Sequence, residues 1–123
     1  MRFAIALCAL GLAAPLCAQN MPVNDFLAKA EALQHKGAMA LFSSDMSLLK
    51  QEVVKSGAAW REDLKAEAAA HKSPSACPPP PPLGLDSAEI LKSFRSIPAG
   101  EREHMTVKTA FVRMVTLRYR CKS

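Results

Sequence analysis

The sequence is poor in the residues and motifs that build catalytic sites. Its 123 residues include one Trp, one Tyr, five Gly and three His. It contains no glycine-rich phosphate loop, no Gly-x-Ser-x-Gly elbow, no His-Glu-x-x-His zinc motif and no Cys-x-x-Cys pair. The set His71, Cys77, His104 and Cys121 has a spacing unlike that of known zinc sites. We therefore expect a protein without catalytic residues, cofactor or metal.

Long apolar runs are absent outside the N-terminal stretch. There, Arg2 precedes an apolar run that ends at Leu16, and polar residues follow. This pattern predicts a secretory signal peptide over residues 1–18, cleaved after Ala18, and a periplasmic mature chain without a membrane segment. A retained anchor is the alternative, but it needs about 20 apolar residues and a proline interrupts this run. Lipid attachment at Cys17 is a second alternative, although the residues before it match the processing pattern poorly.

Cysteine is scarce in the predicted mature chain. Cys8 and Cys17 lie in the predicted signal peptide, which leaves Cys77 and Cys121. An even number of cysteines in an exported protein predicts a disulfide, with two free thiols as the alternative. The bridge would close a loop of about 45 residues and stabilise the fold by roughly 4 kcal/mol in the chain-entropy model.

Helical spacing in residues 24–72 predicts two helices. We expect Asn24 to cap the first helix and the second to run from Ser43 to near Lys72. Gly57, within the second helix, either destabilises that helix or leaves space for another segment to pack closely against it. The apolar face expected for the second helix comprises Met46, Leu49, Val53, Trp60, Leu64 and Ala68.

Residues 86–122 predict two further helices. A capping-box pattern begins at Asp86, and the helix that follows it ends before Pro98. The last helix is expected from about Glu101 to Tyr119, while the alternation of its final residues is also typical of a strand. Its expected apolar face comprises Val107, Ala110, Phe111, Met114, Leu117 and Cys121.

Five consecutive prolines, at positions 78–82, separate the two helical pairs. We expect residues 73–85 to form a polyproline connector, with a rod of about 15 Å, in preference to a ligand for a proline-binding groove. Residues 19–123 are thus predicted to be one all-α domain. Its four helices would be held together by this connector and one disulfide.

The positive charge is concentrated after the prolines. Between the predicted signal peptide and Cys77 there are seven basic and seven acidic residues; from Cys77 onward there are eight basic and four acidic ones. The leading interpretation of these charges is a solvated helix face, and the functional alternative is docking to an acidic protein or an anionic envelope surface. Export and the lack of interleaved aromatic residues argue against nucleic acid. The candidate partner-binding residues are Lys108, Arg113, Arg118 and Arg120.

Several stretches of the C-terminal half recur together in one protein family. They are Cys77-Pro78, the predicted helix Ser87 to Ile97, its break at Pro98 with Arg102 beyond, and the run from Ala110 to Cys121. This combination resembles the Rap/Tai-type immunity proteins. Those are small exported α-helical proteins that neutralise peptidoglycan-cleaving type VI secretion effectors in the periplasm. The resemblance implies a protein that occludes a toxic effector without catalysis and that pairs Cys77 with Cys121.

Three classes of function remain open from the sequence. The first is a non-catalytic binding protein of the immunity type. The second is a small periplasmic stress chaperone of the acid-activated helical type. Protonation of three histidines and 11 carboxylates in acid could supply the change in charge that activates it. The third is an envelope-associated structural domain. The sequence is also compatible with a homodimer.

Overall fold

The structure, a computed structural model, describes residues 21–122. The predicted signal peptide, its cleavage site, Cys8 and Cys17 lie outside the described residues. Within them, all regular elements are helical and no strand is formed, which confirms the all-α prediction. The elements are α1 (Val23–Lys36), a 3₁₀ segment (Gly37–Phe42), α2 (Ser44–Ala69), α3 (Ser87–Ser96), the one-turn α4 (Ala99–Arg102) and α5 (Val107–Arg118).

Helix α1 begins where the chain pairs with the residues before α5. The backbone N–H of Val23 donates to the carbonyl oxygen of Met105 at 2.9 Å, and an isolated antiparallel bridge joins the same two stretches. The prediction that Asn24 caps α1 is wrong, because Pro22 occupies the cap position without a side-chain hydrogen bond. The carbonyl oxygen of Met105, from a distant segment, thus accepts from the N–H of Val23, and in other helices a capping side chain often accepts from such an N–H group.

Helix α2 begins where the sequence predicted. The Ser43 side chain accepts a hydrogen bond from the backbone N–H of Asp45, and the helix extends for 26 residues to Ala69. Gly57 allows Phe111 to pack closely against α2, because the Phe111 ring lies 3.7 Å from the position that a Cβ of residue 57 would take. The predicted apolar face is wrong in part, since Met46, Val53 and Leu64 are only partly buried and Ala68 is exposed. The buried residues of α2 include two polar ones and are Leu49, Glu52, Ser56 and Trp60.

The predicted last helix is interrupted. The capping box of α3 forms as expected, but α4 ends after one turn and α5 starts anew, with Thr106 accepting from the N–H of Thr109. The strand alternative for this region is wrong. The predicted apolar face is wrong in part, since Leu117 is 55% exposed and Cys121 lies beyond the helix. The buried residues of α5 are Val107, Ala110, Phe111 and Val115.

The core joins α1, α2, α3 and α5. Phe26 and Phe94 meet edge to face with ring centroids 5.3 Å apart, and Phe111 and Trp60 are almost fully buried. Full burial of a large apolar side chain stabilises a fold by roughly 1.5–3 kcal/mol, so these four rings form much of the hydrophobic contribution.

The proline connector is held against α2 and the end of α5. Cys77 and Cys121 are at bonding distance, with sulfurs 2.01 Å apart, which confirms the predicted disulfide. Tyr119 holds both ends of the connector: its carbonyl oxygen accepts from the N–H of Cys77, and its hydroxyl donates to the carbonyl oxygen of Leu83, each at 2.8 Å. The Pro81-Pro82 peptide is cis.

Candidate functional site

Three of the four cations predicted to bind a partner are paired within the chain. Acids from α2, α3 and α4 reach them, although no acid follows Glu103 in the sequence. Arg120 forms no ion pair with the described residues. Tertiary structure thus offsets most of the positive charge that the sequence places here. The pairs are Lys108–Asp63 at 3.7 Å, Arg113–Glu101 at 2.9 Å, and Arg118–Glu89.

Two carboxylates flank the connector and are both hydrogen-bonded. Glu67, near the end of α2, accepts from the backbone N–H and the hydroxyl of Ser75, each at 2.8 Å, and these bonds lower the pKa of Glu67. The guanidinium of Arg118 donates to Glu89 and lowers the pKa of that carboxyl, helped by the N–H of Asp86. The surface around the connector is therefore occupied by intramolecular contacts.

An apolar groove opens on another side of the molecule, between α1, the 3₁₀ segment, α2 and α3. Its volume is about 590 Å³, within the range typical of binding sites. Ten of the 13 residues that line it are apolar, and none is acidic. The principal contributors are Ala30 and Leu33 from α1, Leu49 and Val53 from α2, and Ile90 and Leu91 from α3.

The groove follows from helical spacing combined with small side chains. Residues three and four positions apart share a helix face, which aligns Phe26, Ala30 and Leu33 on α1. Ala30 and Ala40 contribute the smallest apolar side chains of the lining. A depression with apolar walls results.

The 3₁₀ segment extends this apolar surface beyond the groove. Ala40 is buried and lines the groove, while its neighbours Met39, Leu41 and Phe42 are 67%, 73% and 84% exposed. Val54, also in the lining, is 70% exposed. Contiguous exposed apolar residues on a small protein mark interaction sites.

The few polar groups of the groove are cationic or neutral. Lys50 lines it and forms no ion pair with the described residues. Arg95 donates from Nη2 to the side-chain oxygen of Gln34, another lining residue, at 3.4 Å, and also has no carboxylate partner in the described chain. The groove therefore presents apolar walls and the cation Lys50, with Arg95 beside it, and neither cation is paired with an acid of residues 21–122.

The described residues contain no cluster of three His, Cys, Asp or Glu that could hold a metal ion. The three histidines are exposed and far apart in the chain. Across residues 21–122, every helix is too short or too polar to cross a membrane.

Sequence reasoning missed the groove and its exposed rim. A signal was present: the residues from Ala38 to Phe42 form an apolar run directly after a glycine and before a helix cap, where polar residues are usual in a turn. Comparisons with known proteins found no matching family model, curated protein or solved structure.

Proposed function

We propose that this protein is an exported, non-catalytic binding protein that works in the periplasm by occluding a protein partner. The observation that carries the proposal is the groove, because it joins a cavity of about 590 Å³ to an exposed apolar segment. A soluble domain gains nothing in stability from exposing Leu41 and Phe42, whereas a binding surface needs such residues.

The compartment is part of the proposal. Support comes from the N-terminal apolar run after Arg2 and from the cysteine pair at bonding distance, since disulfides persist in oxidising compartments. The resemblance of the C-terminal half to the Rap/Tai-type immunity proteins suggests the kind of partner. Within this proposal, the partner is a toxic effector that degrades the cell wall.

Site-specific photo-cross-linking in the periplasm tests the proposal. A photoreactive phenylalanine derivative replaces Val54 in the groove and, in a matched control, Leu117 on α5, which is also an exposed aliphatic helix residue. We expect one discrete adduct with another protein from position 54 and none from position 117. Equal adducts from both positions, no adduct from position 54, or only an adduct of two copies of this chain would contradict the proposal. Cleavage of peptidoglycan by the purified protein would contradict its non-catalytic part.

An acid-activated chaperone is the second candidate, and one observation favours it. Both carboxylates that flank the connector, Glu67 and Glu89, accept hydrogen bonds that are stronger when the carboxyl group is ionised. Strong acid would therefore weaken those contacts at the two ends of the connector. Suppression of the aggregation of an acid-denatured client protein at pH 3, with none at pH 7, would support this candidate over occlusion of a folded partner.

A further inference from the structure

The lining of the groove restricts the backbone conformation of a bound partner. A segment that enters an apolar groove loses water around its backbone N–H and C=O groups, and each unpaired group costs free energy. The groove offers three polar side chains, Gln34, Lys50 and Ser87, and these cannot pair the backbone of an extended segment. An α-helix pairs these groups internally and so avoids this cost.

Other modes of segment recognition fit less well. Strand addition needs an open sheet edge, and the described residues form no sheet. Recognition of a polyproline segment uses a groove lined by aromatic residues, and here Phe26 is the one aromatic residue of the lining. The groove between packed helices instead matches the mode in which the apolar face of a helix is inserted.

The charges beside the groove select the polar residues of that helix. Lys50 and Arg95 lack carboxylate partners in the described chain, in contrast to Lys108, Arg113 and Arg118. Among the residues that the structure describes, no acid lines the groove to repel a carboxylate. Acidic residues next to the apolar face of a bound helix would therefore find two cations, and basic residues would be repelled.

We propose that the groove binds the apolar face of an amphipathic α-helix that carries acidic residues beside that face. This inference rests on the proposed function of the groove as a docking site. Met39, Leu41 and Phe42 extend the contact where the helix leaves the groove, and the unbranched methionine adapts to its surface.

Three synthetic helical peptides test the proposal. They share one leucine face and differ in the polar residues beside it, which are all Glu, all Gln or all Lys. Binding to the disulfide-bonded protein is measured by fluorescence anisotropy, with peptide helicity followed by circular dichroism. We expect the Glu peptide to bind about tenfold more tightly than the Lys peptide at low salt, because two exposed ion pairs contribute that order of affinity. Added salt should reduce the difference.

Matched variants locate the binding site. Val54→Asp should weaken binding of all three peptides, while Leu117→Asp, which adds the same charge on α5, should not. Lys50→Glu should reduce or reverse the preference for the Glu peptide. If Lys50→Glu fails to fold, the effect of salt on the affinity of the unmodified protein for the Glu and Lys peptides tests whether charge contributes to the preference.

Equal affinity for the Glu and Lys peptides, or binding unaffected by Val54→Asp, would overturn the inference. Binding of the peptides in an extended state would overturn it as well. Its failure is distinguishable from failure of the proposed function, because an adduct from position 54 in the periplasm establishes docking without any assumption about helix or charge.

Discussion

The surface around the connector and the surface around the groove share helix α2 and use it differently. Near the connector, Trp60 is 1% exposed and stacks on Tyr119 at 6.3 Å, and Arg61 donates to the carbonyl oxygen of Pro79. Near the groove, Val54 is 70% exposed and Lys50 has no ion pair with the described residues. The side chains of the first surface contact one another within the chain, and the second is the surface at which we propose that a partner binds.

The comparison shows why a count of charges misleads. The sequence concentrates basic residues after the prolines, where the fold supplies an acid for three of the four candidate cations. The N-terminal half is formally neutral, yet its Lys50 has no acidic partner among the described residues. Arg95, which follows the prolines and lies beside the same groove, has none there either. Local pairing, and not net charge, indicates which surface can attract a carboxylate.

The two surfaces should differ most in how far the truncation of an α2 side chain lowers the free energy of unfolding. Trp60→Ala removes a buried ring and its contact with Tyr119, so we expect a loss of about 3–5 kcal/mol in the free energy of unfolding. Val54→Ala should change it by less than about 0.5 kcal/mol, because that side chain is exposed. Denaturant titration measures both. Similar losses for the two variants would contradict the distinction; Trp60→Phe serves if Trp60→Ala does not fold.

Removal of the disulfide should have the next largest effect. Replacement of Cys77 and Cys121 by Ser should lower the free energy of unfolding by about 2–4 kcal/mol, because the unfolded chain regains the freedom of the closed loop. The groove lies on other elements, so peptide binding should persist under conditions where the variant is folded. Reduced unmodified protein is the control and should match the variant. A variant as stable as the oxidised protein would show that the bridge does not contribute.

Two glycines should respond in opposite directions to alanine. Gly57 lies within α2, where a Cβ would make an ordinary contact with Phe111 at 3.7 Å, so Gly57→Ala should stabilise the protein by about 0.5–1 kcal/mol. Gly37 opens the 3₁₀ segment with φ of 57°, so Gly37→Ala should destabilise it by about 1 kcal/mol. Thermal unfolding measures both changes, and effects of the same sign would contradict the structure.

The smallest effect concerns pH and the surface around the connector. The hydrogen bonds to Glu67 and Glu89 lower the pKa of both carboxyls below the ordinary value of 4.5. The native state then binds these protons more weakly than the unfolded chain, so the contacts stabilise the fold above about pH 4.5. Their contribution is lost as the pH falls through the lower pKa values of the folded state. Both residues are partly exposed, so solvent and salt keep the effect small.

Comparison of variants isolates this contribution. The double variant Glu67→Gln, Glu89→Gln should have a lower Tm than the unmodified protein at pH 7, and the difference should shrink towards pH 3. Glu103→Gln is the control, since that exposed side chain has no hydrogen bond or ion pair in the described chain. A difference in Tm that is independent of pH would contradict the account.

The features that sequence reasoning predicted well depend on neighbours in the chain. The Ser43 cap and the capping box that begins at Asp86 form as expected because each involves residues within a single helical turn. The disulfide between Cys77 and Cys121 followed from counting the cysteines that lie outside the predicted signal peptide. The all-α class followed from the spacing of apolar residues.

The features that were missed depend on contacts between distant segments. The start of α1 is set by Met105 from far along the chain, and the break before α5 falls where the same stretch pairs with α1. The 3₁₀ segment and the groove beside it arise from how α1, α2 and α3 pack, which no local pattern specifies. The same is true of the ion pairs that occupy the predicted basic surface.

By itself, then, the sequence determined the helical class, most helix ends and the pairing of the cysteines, because caps, periodicity and cysteine parity act locally or by count. Only the tertiary structure decided which surface keeps exposed apolar side chains and unpaired cations among the described residues. Arg118 and Lys50 are both exposed cations in the sequence pattern, but packing brings Glu89 to the first and leaves the second beside apolar walls. Burial and charge pairing are properties of the folded arrangement, and they direct the search for a partner to the groove.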